Sequence, residues 1–126
     1  MKRYLLVDPE MGTENSFEFS HGNCYPAVAV PRGMNFFTLQ NEDNDRWFYN
    51  PRTDLFDAVR LAHMPSPWLG DWCRLLFWGG VGTAEMRRLP FDRKSAEIRP
   101  AYLRIPVEEG GYTVEVTPTI DRKSVV

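Results

Sequence analysis

Long apolar runs are missing from this chain of 126 residues. After Lys2 and Arg3 only Tyr4, Leu5, Leu6 and Val7 are apolar in character before Asp8 and Pro9. A secretory signal needs an apolar core of roughly 7–15 residues, and no run approaches the ~20 needed to span a bilayer. Cysteine is scarce: Cys24 and Cys73 could pair, but without an export signal they read as reduced thiols in a cytoplasmic protein. Excess positive charge is lacking as well. Fifteen Lys and Arg face 17 Asp and Glu, a net charge of -2, so nucleic acid and anionic membranes are not expected partners. The two histidines, His21 and His63, have no metal-ligand spacing around them, so no metal site is assigned. No G-x-S-x-G nucleophile elbow occurs. The GGVGT stretch at 79–83 lacks the Lys-Ser/Thr of a phosphate loop and reads as a turn.

What is present is a succession of short strand signals. Residues 27–30 (AVAV) form an apolar run closed by Pro31 and Gly33, and 34–40 (MNFFTLQ) form a second extended stretch. A polar loop is expected over 41–46 (NEDNDR), followed by an aromatic strand at 47–49 and a turn at Asn50-Pro51. Residues 55–62 fit two helical turns or a strand; strand neighbours and Pro65 favour the strand. The apolar run 73–78 reads as a buried strand. The runs at 101–105 and 112–117 flank Glu108-Glu109-Gly110-Gly111 as a hairpin, with Pro106 pushing the first towards an edge or a bulge. With no persuasive long helix, the expected fold is all-β: one antiparallel β-sandwich domain, or part of one, over residues 1–120.

Two segments carry unusual chemistry. HMPSPWLGDW, residues 63–72, gathers His63, Ser66, Trp68, Asp71 and Trp72 where Pro65 and Pro67 enforce extended backbone. Flat aromatic surface beside several hydrogen-bonding groups is the mixture a sugar ring requires. From spacing alone the simpler reading is that both tryptophans fill the core and His63 is a satisfied strand-end residue. SHGN, residues 20–23, offers His21 and Asn23, as ligand contacts or as turn residues. Asp8, Glu10, Glu14 and Glu18 could include a hydrolytic carboxylate, but their spacing singles none out, and solvated loop charges are the simpler reading.

The blocks VDPEMGTENS, SHGNCYPAVAVPRGM, LAHMPSPWLGDW and YTVEVTPT, in this order across residues 7–119, resemble the amino-terminal β-sandwich domain of glycoside hydrolase family 92. The family comprises calcium-dependent, inverting exo-α-mannosidases. Arg32 stands where the family usually has Phe, and Glu10 is near a position commonly occupied by Ile. The resemblance implies a truncated piece of an enzyme that hydrolyses terminal α-mannosides of a glycan. An (α/α) helical-barrel domain that carries the catalytic acid, the general base and most calcium ligands would follow it, so no catalytic residue is assigned in this chain. On this resemblance Trp47 and Trp68 would pack against sugar. His63, Ser66 and Asp71 would be polar contacts or loop supports, with His21 and Asn23 on the same rim. Residues 121–126 (DRKSVV) depart from the family pattern and match the translation of a common sequencing-adapter string, so they read as a non-native tail. A free-standing carbohydrate-binding β-sandwich without catalysis is the alternative. As an incomplete sandwich, the chain is expected to be poorly stable alone, with apolar surface and strand edges uncovered.

Overall fold

The computed structural model describes residues 3–30, 35–42, 47–72, 74–80, 82, 85–119 and 124–125. It is all-β apart from short 3-10 turns at Arg3–Leu6 and Phe17–Asn23. One antiparallel sheet has the order β1 (Phe36–Gln40), β3 (Ala58–Ala62), β6 (Leu75–Phe77). The second runs β11 (Ser124–Val125), β10 (Tyr112–Pro118), β9 (Tyr102–Val107), β8 (Glu97–Arg99). Two small antiparallel pairs complete the set: β2 (Leu55–Phe56) with β7 (Leu89–Pro90), and β4 (Met64–Ser66) with β5 (Gly70–Trp72).

Alternation decides how the sheets pack. On β9, Leu103, Ile105 and Val107 are fully buried while Tyr102, Arg104 and Pro106 are only partly covered, the period-2 pattern of a strand with one core face. These residues join Val116 of β10, and Phe37, Leu39 and Val59 of the first sheet, in one apolar cluster, the interior of a sandwich. Val28 ties the amino-terminal segment to β1: its N–H donates to Phe37 O at 2.7 Å and it accepts from Phe37 N at 3.0 Å. The Ala29 N–H reaches Pro100 O at 3.0 Å, beside the second sheet. Only this bridge forms at 27–30, where a full strand was expected.

The ambiguous run 55–62 is strand, interrupted at Asp57, whose carboxylate takes two hydrogen bonds from Arg88 at 2.7 and 2.8 Å. The expected hairpin at 108–111 is present, closed by Gly111 N–H to Glu108 O at 2.9 Å. The left-handed Gly111 (φ 68) supplies the backbone conformation this turn needs. Pro106 neither ends nor bulges β9. At that point β9 has lost its β8 neighbour, whose pairing stops at Arg104, so the missing N–H disrupts no ladder on that side.

Three other expectations change. Residues 47–49 are buried but irregular; Phe48 O receives the N–H groups of Asn41 and Glu42, both at 3.1 Å. Asn41 is not a solvated loop residue. It is fully buried and staples the chain, donating from Nδ2 to Asn50 O (2.8 Å) and Thr53 O (2.9 Å) and accepting from Asn50 N–H (2.8 Å). Within the run 73–78, Leu75–Phe77 form an edge strand of the described sheet with Leu75 and Phe77 exposed, rather than a buried one. Cys24 is a free thiol, while Cys73, the turn at 31–34 and most of 121–126 lie outside the described residues. No described helix is long and apolar enough to cross a membrane.

Asn41→Ala is expected to destabilise the chain by roughly 2–4 kcal/mol, since each orphaned buried polar group costs about 1–3 kcal/mol. Urea unfolding of the two proteins measures it.

Candidate functional site

The face of the β1–β3–β6 sheet that points away from the sandwich core is polar and covered. Thr38 and Arg60 oppose each other across β1 and β3, with Gln40 two residues along on the same face. A guanidinium in this position is tolerable only if its charge and donors are answered. Arg60 Nε donates to Asp71 Oδ2 at 2.8 Å and its Nη2 bonds the same oxygen. Nη1 donates to Gln40 Oε1 at 2.7 Å, and the guanidinium lies 4.2 Å from the Phe48 ring centroid. The Arg60 and Asp71 side chains are only 3% and 6% exposed. Asp71 sits on β5, so this buried ion pair fixes the β4–β5 hairpin to the sheet.

The 63–72 segment is thus a hairpin rather than an irregular loop. Met64 pairs with Trp72, Pro65 with Asp71 and Ser66 with Gly70. Gly70 takes a left-handed φ of 83, which lets the chain turn back into β5. Ser66 Oγ accepts the N–H groups of Trp68 and Leu69, both at 3.2 Å, holding the turn. His63 lies at the bend between β3 and β4, half-buried.

The second polar segment adopts a rare conformation. Ser20 (φ 57), His21 (φ 50), Gly22 (φ 67) and Asn23 (φ 49) are four consecutive left-handed residues, three of them not glycine. Each non-glycine residue there costs about 1–2 kcal/mol, so the surroundings must hold the turn in place. Packing does so. A Cβ on Gly22 would stand 2.0 Å from Gly12 O, so the chain crosses itself where only glycine fits. The Ser16 carbonyl accepts both the Phe19 and His21 N–H groups, at 3.1 and 3.0 Å.

The two segments meet at Trp68. Its Nε1–H donates to Ser20 Oγ at 2.7 Å and its ring lies 5.6 Å from that of Phe17, yet the residue remains 65% exposed. His21 stacks on Trp47 (6.2 Å, 5° between planes), and Phe48 and Tyr25 continue the cluster towards Arg60. Trp47, expected to offer a face to sugar, is 3% exposed: it fills the layer beneath His21. Asp71, expected as a polar contact or loop support, is committed to Arg60. Asn23 is exposed at the end of the left-handed turn. Sequence reading overlooked Arg60, Phe17 and Ser20; a lone arginine inside the apolar AVRLA run was the available signal.

The Tyr25 phenol is pushed up to about 12 by burial and by the Asp71 charge, with Arg60 opposing. Several other carboxylates are tied to arginines. Glu10, one of the early acidic residues, accepts from Tyr49 and from Arg93 (2.7 Å), and Arg93 also holds Asp54; Glu14 pairs with Arg52. Among the described residues no three Asp, Glu, His or Cys side chains stand together to hold a metal.

A family model described as the Glycosyl hydrolase family 92 N-terminal domain matches residues 6–122. The structure of a family GH92 inverting mannosidase from Bacteroides thetaiotaomicron is similar at a TM-score of 0.78 and 36% identity, covering 90% of this chain and 16% of that one. A GH92 alpha-mannosidase from the same organism matches at 0.74 and 20% identity over 95% of this chain and 17% of its own, and its mannoimidazole complex at 0.73. The chain therefore spans about a sixth of the length of these solved relatives. No curated protein matches it.

Asp71→Ala is expected to lower stability by about 3–5 kcal/mol, because it strands a buried guanidinium, whereas Arg60→Met combined with Asp71→Leu loses much less. Equal losses in denaturant unfolding would contradict a coupled pair. The raised Tyr25 pKa favours the protonated phenol in the folded state. That contribution is complete below pH 10, the ordinary value, and is lost as pH rises towards about 12. Unfolding curves across this interval should show stability falling, and less steeply in Tyr25→Phe.

Proposed function

This chain belongs to glycosyl hydrolase family 92, and from that premise we propose that it is the amino-terminal part of an inverting α-mannosidase, contributing the rim of the glycan pocket. Trp68 is the observation that carries the reading. An indole this exposed is usually mobile; here Ser20 and Phe17 fix its edge, Ser66 fixes its turn, and the Arg60–Asp71 pair fixes its hairpin. A ring immobilised before a ligand arrives loses little entropy on binding, and its open face suits the C–H surface of a sugar. His21 and Asn23 stand on the adjoining left-handed turn and complete the polar border, with Ser66 and His63 as supports. Trp47 acts beneath them, holding His21.

Hydrolysis with inversion needs one carboxylic acid and one carboxylate roughly 6.5–9.5 Å apart across the sugar. The carboxylate nearest Trp68 by connectivity, Asp71, is buried against Arg60 and cannot reach a glycosidic oxygen. On this reading the acid and the base come from the longer polypeptide, as do the ligands of any calcium ion the whole enzyme holds. This chain's share of the work is to orient the glycan and to keep water from one side of it.

In a family-length enzyme carrying this domain, Trp68→Ala should raise KM for an α-mannoside about three- to tenfold, equivalent to ~0.5–1.5 kcal/mol of aromatic contact. The effect on kcat should be smaller. Unchanged KM in a folded variant would remove Trp68 from the pocket.

A further inference from the structure

A polar cavity of about 240 Å³ opens against His21, between residues 13–16 and residues 49–52. Burial grades its lining. Thr13 and Tyr49 are buried, His21 and Asn50 half-buried, and Glu14 and Arg52 exposed, so the cavity has a closed floor and an open mouth.

The two walls are held apart at a fixed spacing. The Tyr49 hydroxyl donates to Glu10, which also accepts from Arg93 Nη1 at 2.7 Å. The Glu10 carbonyl in turn accepts from Thr13, through its N–H at 3.1 Å and its hydroxyl at 2.7 Å. The opposite wall is stapled by Asn41 through Asn50 and Thr53. Only the mouth is adjustable. Arg52 gives Nε and Nη2 to the same oxygen of Glu14, at 2.9 and 2.7 Å, and these side chains are 76% and 65% exposed. An ion pair this open to water contributes little stability, so a ligand can replace it at small cost.

The groups left over are those of a diol receptor. The second oxygen of Glu14, Asn15 Oδ1, Asn50 Nδ2 and the Ser16 hydroxyl enter no bond among the described residues. Acceptors and donors side by side, with a planar guanidinium among them, suit the neighbouring hydroxyls of a sugar ring. Charges of both signs face each other at the mouth, which favours a neutral ligand over an ionic one. The volume equals that of roughly eight waters, room for one ring rather than two.

Resting on the rim reading given above, we propose that this cavity is a second sugar subsite, for the ring that follows the one on Trp68. The glycan leaves Trp68 over Phe17, whose ring lies 5.6 Å from that of Trp68 and 6.1 Å from that of His21. His21 is the shared wall, and the next ring enters the cavity, where Arg52 and Glu14 turn from each other onto its hydroxyls. These two residues then set the preference for the second sugar.

Steady-state kinetics of a family-length enzyme carrying this domain, on methyl α-mannoside and on an α-linked mannobiose, provide the test. Arg52→Ala should raise KM for the disaccharide about three- to tenfold more than KM for the methyl glycoside, the effect of losing one or two hydrogen bonds. Glu14→Gln should act in the same direction. Trp68→Ala should raise both KM values alike, since both substrates place a ring there. Equal effects of Arg52→Ala on the two substrates overturn the proposal; if Trp68→Ala still raises both, the rim stands without the cavity. An inert Trp68→Ala removes the rim and, with it, the path into the cavity. Should Arg52→Ala fail to fold, Arg52→Gln gives the same comparison.

Discussion

A single guanidinium sets the terms for this structure. Arg60 enters the middle strand of a sheet between Val59 and Leu61, and alternation turns it away from the apolar interior onto the opposite face. A charge cannot be left there unanswered, and its partners come from three separate parts of the chain: Gln40 from β1, Phe48 from the irregular aromatic segment and Asp71 from the hairpin. The hairpin that displays Trp68 is therefore anchored by the desolvation of Arg60. Hydrophobic residues of similar volume would often give at least equal stability at such a pair. What the ion pair adds is direction, since a carboxylate and a guanidinium fit in few arrangements.

The left-handed turn at Ser20–Asn23 obeys a related logic. Three non-glycine residues with positive φ oppose folding locally, and contacts made elsewhere hold them there: the Gly12–Gly22 approach, the Ser16 carbonyl, the His21–Trp47 stack and the Ser20–Trp68 hydrogen bond. Strain retained next to an exposed aromatic ring is the pattern expected of a recognition surface. The same contacts join SHGN to HMPSPWLGDW, through a Trp68–Ser20 bond between residues 48 apart in sequence, into one surface.

Much of the fold was legible because alternation is a local property. The 112–117 strand, the Gly-Gly turn before it and the 55–62 strand all follow from residue order. The all-β class and the family could be read as well, the second from four motif blocks. What escaped reading depends on distant partners. Trp47 and Trp68 have the same chemistry in sequence, yet one is buried and the other exposed, and only the stacking of His21 and the placement of the hairpin separate them. Asn41 looked solvated because its partners, Asn50 and Thr53, lie across a loop. The apolar run at 73–78 suggested a core strand, but burial also requires an opposing sheet.

These features describe a domain with a rigid, aromatic-edged surface, for which we propose that the reaction chemistry lies elsewhere in the longer polypeptide. The most direct measurement is a crystal structure of a family-length protein carrying this domain, with an unhydrolysed α-mannoside bound. The account predicts a sugar ring against the open face of Trp68, with Asp71 still on Arg60 and no carboxylate of this domain at the scissile bond. A sugar held away from Trp68, or an Asp71 released from Arg60 to contact it, would contradict the account.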